Sequence, residues 1–296
     1  MLCDRETRLT PTQQDRLYRF AAVVKNELQA RRGPGQDAVL MARSGLNLAR
    51  FGQRYSHMGI GLVDTPVAEA PQDAPPSWTV RQLYYACQEK APRLFDQGVA
   101  GFVLGTEQPE LGYLSVVMLP PAQAVALHRM ADDKAQALRL LGARYSANAY
   151  PFATRYQNCN QWVAEMLAQA WADPDPDPDL IAPGDAPPAA RARAQAWLRD
   201  RGYQPTTIEV GPWLMWAAPV VPFVHRDDHP DEDLAQHRFQ LTMPVAIEDF
   251  VQTQAPGAQR VEFCHAGARV VVHSGWTPIA EGCEPGEGDT VIELGE

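Results

Sequence analysis

No stretch of the 296-residue sequence holds the roughly 18 consecutive apolar residues that a membrane-spanning helix needs. The longest apolar run lies near Trp213 to Val224, and prolines interrupt it. A lysine-arginine cluster is missing as well. The formal net charge is −10, so a phosphate backbone would be repelled and general nucleic-acid binding is excluded. CxxC spacing is absent, which speaks against a zinc ribbon or a thioredoxin-type motif. No signal peptide opens the chain, because MLCDRETRLTPTQQDR is charged from Asp4 onward. An expectation of a periplasmic or otherwise exported protein therefore assumes that a leader has been removed.

What is present suits a globular protein. The length allows one large domain or a domain with a smaller companion, and an apolar fraction of 45% is enough to build its core. Residues 10–32 predict a helix, with Thr10-Pro11 as its start and Leu17, Phe20, Ala21, Val24 and Leu28 at helical spacing. VLMARS (39–44), HMGIGLVD (57–64), WTVRQLYYA (78–86), GFVLG and GYLSVVMLP read as strands. PAQAVALHRMADDKAQALRLLG reads as one long helix from Pro121 to Gly142, and NCNQWVAEMLAQAWA as another, with Asn158 as its N-cap. DPDPDPD cannot be helix or central strand, because its prolines lack an N–H, and it marks a linker. The expected organisation is a domain over 1–172, a Pro/Asp-rich linker and helix over 173–205, and a β-rich C-terminal region over 206–296 that packs on the first.

The cysteines are Cys3, Cys87, Cys159, Cys264 and Cys283. An odd number suggests pairs plus one thiol. Cys264 and Cys283 flank a strand-rich stretch, Cys3 and Cys87 are the other possible pair, and Cys159 is then free; two bridges would imply an oxidising compartment. The alternative is five buried, reduced cysteines.

Two segments carry chemistry, RYSHMGIGLVD and RYQNCNQWVAEML. The first puts His57 on a strand, pointing the same way as Gly59, Gly61 and Val63, with Met58, Ile60 and Leu62 on the other face. The second puts Cys159 in the first turn of a helix, where unpaired N–H groups and the helix dipole would stabilise a thiolate and an oxyanion. A lowered thiol pKa and a nearby imidazole base are the two requirements of a cysteine nucleophile. HRDDHPDED carries His225, Asp227, Asp228 and His229, residue types that suit zinc; a charged surface loop is the expected reading, and no metal site is assigned. Trp213 and Trp216 are expected to be buried between the two regions.

SHMGIG followed about a hundred residues later by NCNQWVAEML resembles the circularly permuted branch of the papain-like superfamily, which includes permuted relatives of NlpC-type cell-wall peptidases and the lecithin:retinol acyltransferase group. This resemblance covers roughly residues 39–171. ARSGLNLARFGQRYSHMGIGL, with NCN, DDHP and GWTPIAEGC downstream, also resembles a bacterial, mostly proteobacterial, exported family of unassigned function, over most of the chain. The superfamily resemblance implies Cys159 as nucleophile and His57 as base. It implies a third polar residue on the strand after the histidine strand, where Gln82 shares a face with Val80 and Tyr84. Many superfamily members have a histidine there, and this strand has none. Tyr55, Tyr156 and Asn158 are further candidates for lining a substrate site.

The expected fold is α+β: a permuted papain-like core, an antiparallel sheet packed with helices, plus the β-rich C-terminal region. The expected activity is that of a cysteine hydrolase or acyltransferase working through a Cys159 thioester. Its substrate is a peptide amide, as in the cell wall, or a lipid acyl ester. No cofactor is implied, since a cysteine–histidine pair needs none, and oligomeric state is left open. The rival reading is a non-catalytic binding or scaffolding protein of the envelope that retains the fold.

Overall fold

The structure, a computed structural model, describes residues 9–64, 76–172, 187–217 and 223–295. The Asp-Pro repeat and Cys3, the expected partner of Cys87, lie outside the described residues. The first helix, α1 (Pro11–Arg31), starts where expected. Thr10 accepts from the Gln13 N–H at 3.3 Å, and the Gln13 side chain accepts from the Thr10 N–H at 3.0 Å. Its apolar stripe, Leu17, Phe20, Ala21, Val24 and Leu28, is fully buried.

The next elements are β1 (Ala38–Arg43), β2 (His57–Val63), β3 (Trp78–Ala86), β4 (Ala91–Gly98), α2 (Val99–Leu104) and β5 (Leu111–Met118). The helices α3 (Pro121–Asp132), α4 (Lys134–Arg139), α5 (Cys159–Ala172) and α6 (Pro187–Asp200) follow. Then come β6 (Thr206–Glu209), α7 (Pro212–Ala217), α8 (Asp231–Ala235), β7 (Arg238–Leu241), α9 (Pro244–Gln254), β8 (Gln259–Ala266), β9 (Arg269–Ser274) and β10 (Thr290–Glu293).

An eight-stranded sheet in the order β10-β9-β8-β5-β1-β2-β3-β4 organises these elements. Its neighbours pair antiparallel throughout. β1, at its centre, is buried on both faces, and each face carries its own apolar cluster. Met58, Ile60 and Leu62 belong to the cluster containing α3 and α5, with Trp162, Val163, Met166 and Leu167. Val39, Met41 and Val80 belong to the cluster under α1 and α2. Two-residue alternation along each strand thus feeds both layers. The fold is α+β, with helices on both faces of an antiparallel sheet.

Two expectations change, and two others hold. GFVLG is not a strand but part of α2. Gly98 and Gly105 bracket it, and Val99, Phe102 and Val103 are buried at helical spacing; a short apolar run fits either period. The long helix expected from Pro121 is two helices, because Asp133 breaks it by accepting from the Ala135 and Gln136 N–H groups as the N-cap of α4. The C-terminal region packs on the first part by extending its sheet: β8 pairs with β5 along its whole length, leaving β6 and β7 as a separate two-stranded sheet. It also contains α9, whose Ala246, Ile247, Phe250 and Val251 are buried. Cys264 and Cys283 form a disulfide, with Cα atoms 5.6 Å apart, and Cys159 is a free, buried cysteine. Among the described residues no helix is long and apolar enough to cross a membrane.

Candidate active site

β1 pairs with β2 as far as Arg43 opposite His57. β2 and β3, by contrast, pair only from Ile60–Arg81 to Val63–Trp78. At the end where that ladder has stopped lies a cavity of about 410 Å³. His57 and Cys159 both line it, with Arg43, Tyr84, Tyr145 and Asn158.

His57 is buried and rigidly held. Its Nε2 lies 2.7 Å from Gln82 Oε1, and the Gln82 amide donates to Gln97 Oε1 at 2.8 Å. With the Gln82 oxygen turned to the ring, Nε2 carries the proton and Nδ1 is the basic nitrogen. Tyr84 stacks on the imidazole at 4.5 Å with an interplanar angle of 18°, and Phe102 lies 6.0 Å away. The glycine two residues on makes this approach feasible. A Cβ on Gly59 would sit 2.7 Å from a Val80 methyl and 3.3 Å from Gln82 Cβ. Burial, reinforced by the positive charge of Arg43, holds the imidazole pKa well below its ordinary value, so His57 is neutral near pH 7.

Cys159 is the first residue of α5. Asn158 caps that helix, its Oδ1 accepting from the Gln161 N–H at 2.7 Å. The neighbouring Asn160 ties the helix start to its surroundings, donating to Ser56 O at 3.3 Å and Thr242 O at 3.2 Å. Cys159 Sγ lies 3.6 Å from Asn160 Oδ1, and the Tyr145 hydroxyl is near enough to favour the thiolate. The expected lowering of the thiol pKa is outweighed. Burial pushes it up to about 11, against the opposing pull of the Asn160 N–H, the Arg43 charge and the Tyr145 hydroxyl. The resting pair is therefore a neutral thiol and a neutral imidazole. No hydrogen bond joins them: Nε2 is engaged by Gln82 and the thiol by Asn160.

Of the other candidates, Asn158 lines the cavity, whereas Tyr55 and Tyr156 are outside its described wall. The Tyr55 hydroxyl donates to Glu262 in a buried network with Arg260 and Arg54. Tyr156 stacks on His225 at 4.3 Å. Three cavity residues escaped sequence reasoning: Arg43, Tyr84 and Tyr145. None is assigned a role by the sequence, because strand pairing and loop closure are what bring them to the cavity.

The C-terminal segment supplies the rest of the wall, including Ile208, Val210, Leu214, Phe239, Leu241 and Met243. HRDDHPDED is partly the surface loop expected, with Asp227, Asp231 and Glu232 exposed, but its Asp228 and His229 turn inward and anchor this segment. His229 Nε2 meets Asn148 O at 2.7 Å, and the buried Asp228 carboxylate accepts from the Tyr150 N–H at 2.9 Å. Among the described residues, no group of three or more His, Cys, Asp or Glu side chains is placed to hold a metal ion. Trp213 is 68% exposed and not buried between regions; the Trp216 side chain lies outside the description.

Residues 29–251 match the family described as "Uncharacterized protein conserved in bacteria (DUF2145)". The chain belongs to the DUF2145 family. The match spans His57, Gln82, Cys159 and the β6–β7 pair that walls the cavity, and it ends within α9. No curated protein and no solved structure matches the chain. In this DUF2145 protein, then, the site rests on its own geometry.

Proposed function

We propose that this protein is a cysteine hydrolase or acyltransferase with a permuted papain-like site, acting through a thioester at Cys159. The observation that carries the reading is that His57, its tautomer fixed by Gln82, opens on the same cavity as a cysteine at a helix start. His57 Nδ1 takes the Sγ proton as the sulfur attacks an acyl carbonyl. The Tyr145 hydroxyl is a donor available to the resulting oxyanion. Collapse breaks the bond to an amine or alcohol, which leaves with the proton from His57. Water or an amine then attacks the thioester, releasing an acid or an amide and restoring the thiol. The apolar C-terminal wall favours a lipid acyl ester over a cell-wall peptide. The Cys264–Cys283 disulfide supports an exported, periplasmic setting.

A second reading, a non-catalytic binding protein of the envelope, is favoured by one observation: a thiol pushed up to about 11 with no hydrogen bond to His57. Intact-mass measurement after mixing with p-nitrophenyl octanoate or with an N-acylated cell-wall peptide separates the two. The enzyme reading expects an acyl adduct on Cys159 that is lost in Cys159→Ser and slowed in His57→Ala. Saturable binding of either compound without acylation would establish the binding protein instead.

A further inference from the structure

Among the described residues, one cation of this cavity makes no ion pair, although the Glu107 carboxylate also lines it. Arg43, at the end of β1, is 4% exposed. Its Nε and Nη1 have no hydrogen-bond partner. Its Nη2 donates to the Tyr84 hydroxyl, a phenol and not a carboxylate. The guanidinium carbon sits 5.3 Å from the centre of the Phe102 ring. Two glycines make room for it: a Cβ on Gly45 would come within 2.7 Å of Nη1, and one on Gly105 within 2.5 Å of Nη2. A buried charge that lacks an opposite charge is strongly unfavourable, and it is the usual fate of a buried arginine to be paired. An anion forming beside it would offset that cost.

We propose that Arg43 is the standing counter-cation of the site: it, and not a His57 imidazolium, balances the negative charge that develops on Cys159 and on the acyl oxyanion. This rests on the thioester reading above and departs from an ion-pair mechanism. The same guanidinium that favours an anion at Cys159 opposes a cation at His57. His57 therefore relays the proton onward and does not hold it. The proton leaves Sγ for Nδ1 and passes to the departing amine or alcohol, while Arg43 keeps its charge throughout. Tyr84 is the mechanical link, since it both accepts from Arg43 and stacks on His57. The other titratable or charged groups lining the cavity are Tyr145, Arg50 and Glu107; the described residues of the C-terminal wall contribute none.

Alkylation of Cys159 by iodoacetamide, read by peptide mass mapping, tests the proposal without any substrate. In the intact chain the rate should rise with pH through a single ionisation, with no reactive plateau on the acid side. At a fixed pH near 8, Arg43→Gln should alkylate about ten- to a hundredfold more slowly, because losing a nearby cation raises a thiol pKa by about one to two units. Arg43→Lys should recover most of that rate. A plateau of reactivity persisting into acid would mean that an imidazolium balances the thiolate, and it would overturn the proposal. So would an unchanged rate in a folded Arg43→Gln variant. If that variant does not fold, as judged by circular dichroism, the wild-type profile decides alone. Failure of the thioester reading has a different signature: the Arg43 effect on alkylation remains, but no acyl adduct forms.

Discussion

Gln82 Oε1 accepts the Nε2 proton of His57 at 2.7 Å, and Gln82 is in turn oriented by Gln97. An amide in this place fixes the tautomer as a carboxylate would, but it contributes no charge to hold an imidazolium. That matches a site where burial and Arg43 already keep His57 neutral. If the proposed thioester chemistry holds, Gln82→Ala should lower kcat/KM by about a hundredfold, mainly through kcat, since the ring loses its orientation. Gln82→Glu should raise the His57 pKa, measured by NMR titration of the ring. An unchanged kcat in Gln82→Ala would remove Gln82 from the site.

The buried thiol and imidazole also set how stability varies with pH. Cys159 has a folded pKa of about 11 against an ordinary 9.0, so the folded state keeps its proton longer. Its contribution is complete below about pH 9 and is lost as pH rises toward 11, a loss of roughly 2–3 kcal/mol. His57 and His265 are shifted the other way, His57 well below 6.5 and His265, through burial, to about 4. Their contributions are complete above about pH 6.5 and fade as pH falls below it. Urea denaturation at a series of pH values should show a plateau between these limits. Cys159→Ala should flatten the alkaline decline, and a decline of equal size in that variant would assign it elsewhere.

Local signals made much of this legible in the sequence. The caps at Thr10 and Asn158 and the apolar spacing of α1 and α5 are written in adjacent residues, and the structure follows them. The β2 and β3 strands were readable for the same reason, and with them the positions of His57 and Gln82. Non-local relations were not legible. Nothing near Arg43 in sequence reveals that it ends opposite His57, or that β8–β10 extend the same sheet. Tyr55 was drawn toward the site by its nearness to His57 in the chain, yet its hydroxyl serves Glu262, more than two hundred residues away.

The disulfide between Cys264 and Cys283 closes a loop of sequence separation 19 that joins β8 to the turn before β10. Restricting such a loop in the unfolded chain contributes about 3 kcal/mol. A Cys264→Ala, Cys283→Ala double variant should lose about that amount in urea denaturation under oxidising conditions. The wild type should fall at least that far in reductant, which also opens the bridge at Cys87, and a reduced wild type as stable as the oxidised one would count against a structural role.

Glu165 and Arg191 form the other buried lock, on α5 and α6, with side chains 0% and 1% exposed. Arg191 Nε and Nη2 reach the two Glu165 oxygens at 2.8 and 3.0 Å, and its remaining donors go to Thr154 O and Tyr156 O. Gln157 and Gln195 complete the carboxylate at 2.6 and 2.7 Å. The lock therefore fixes α6 to the cysteine helix and also holds the segment that leads into Cys159. Arg191→Ala strands a buried carboxylate and should cost about 3–5 kcal/mol. Removing both charges, in Glu165→Gln with Arg191→Met, should recover part of that loss, because no unpaired ion is left inside. Chemical denaturation of the two variants beside the wild type measures this. A single variant no less stable than the wild type would show that the pair does not hold α6 in place.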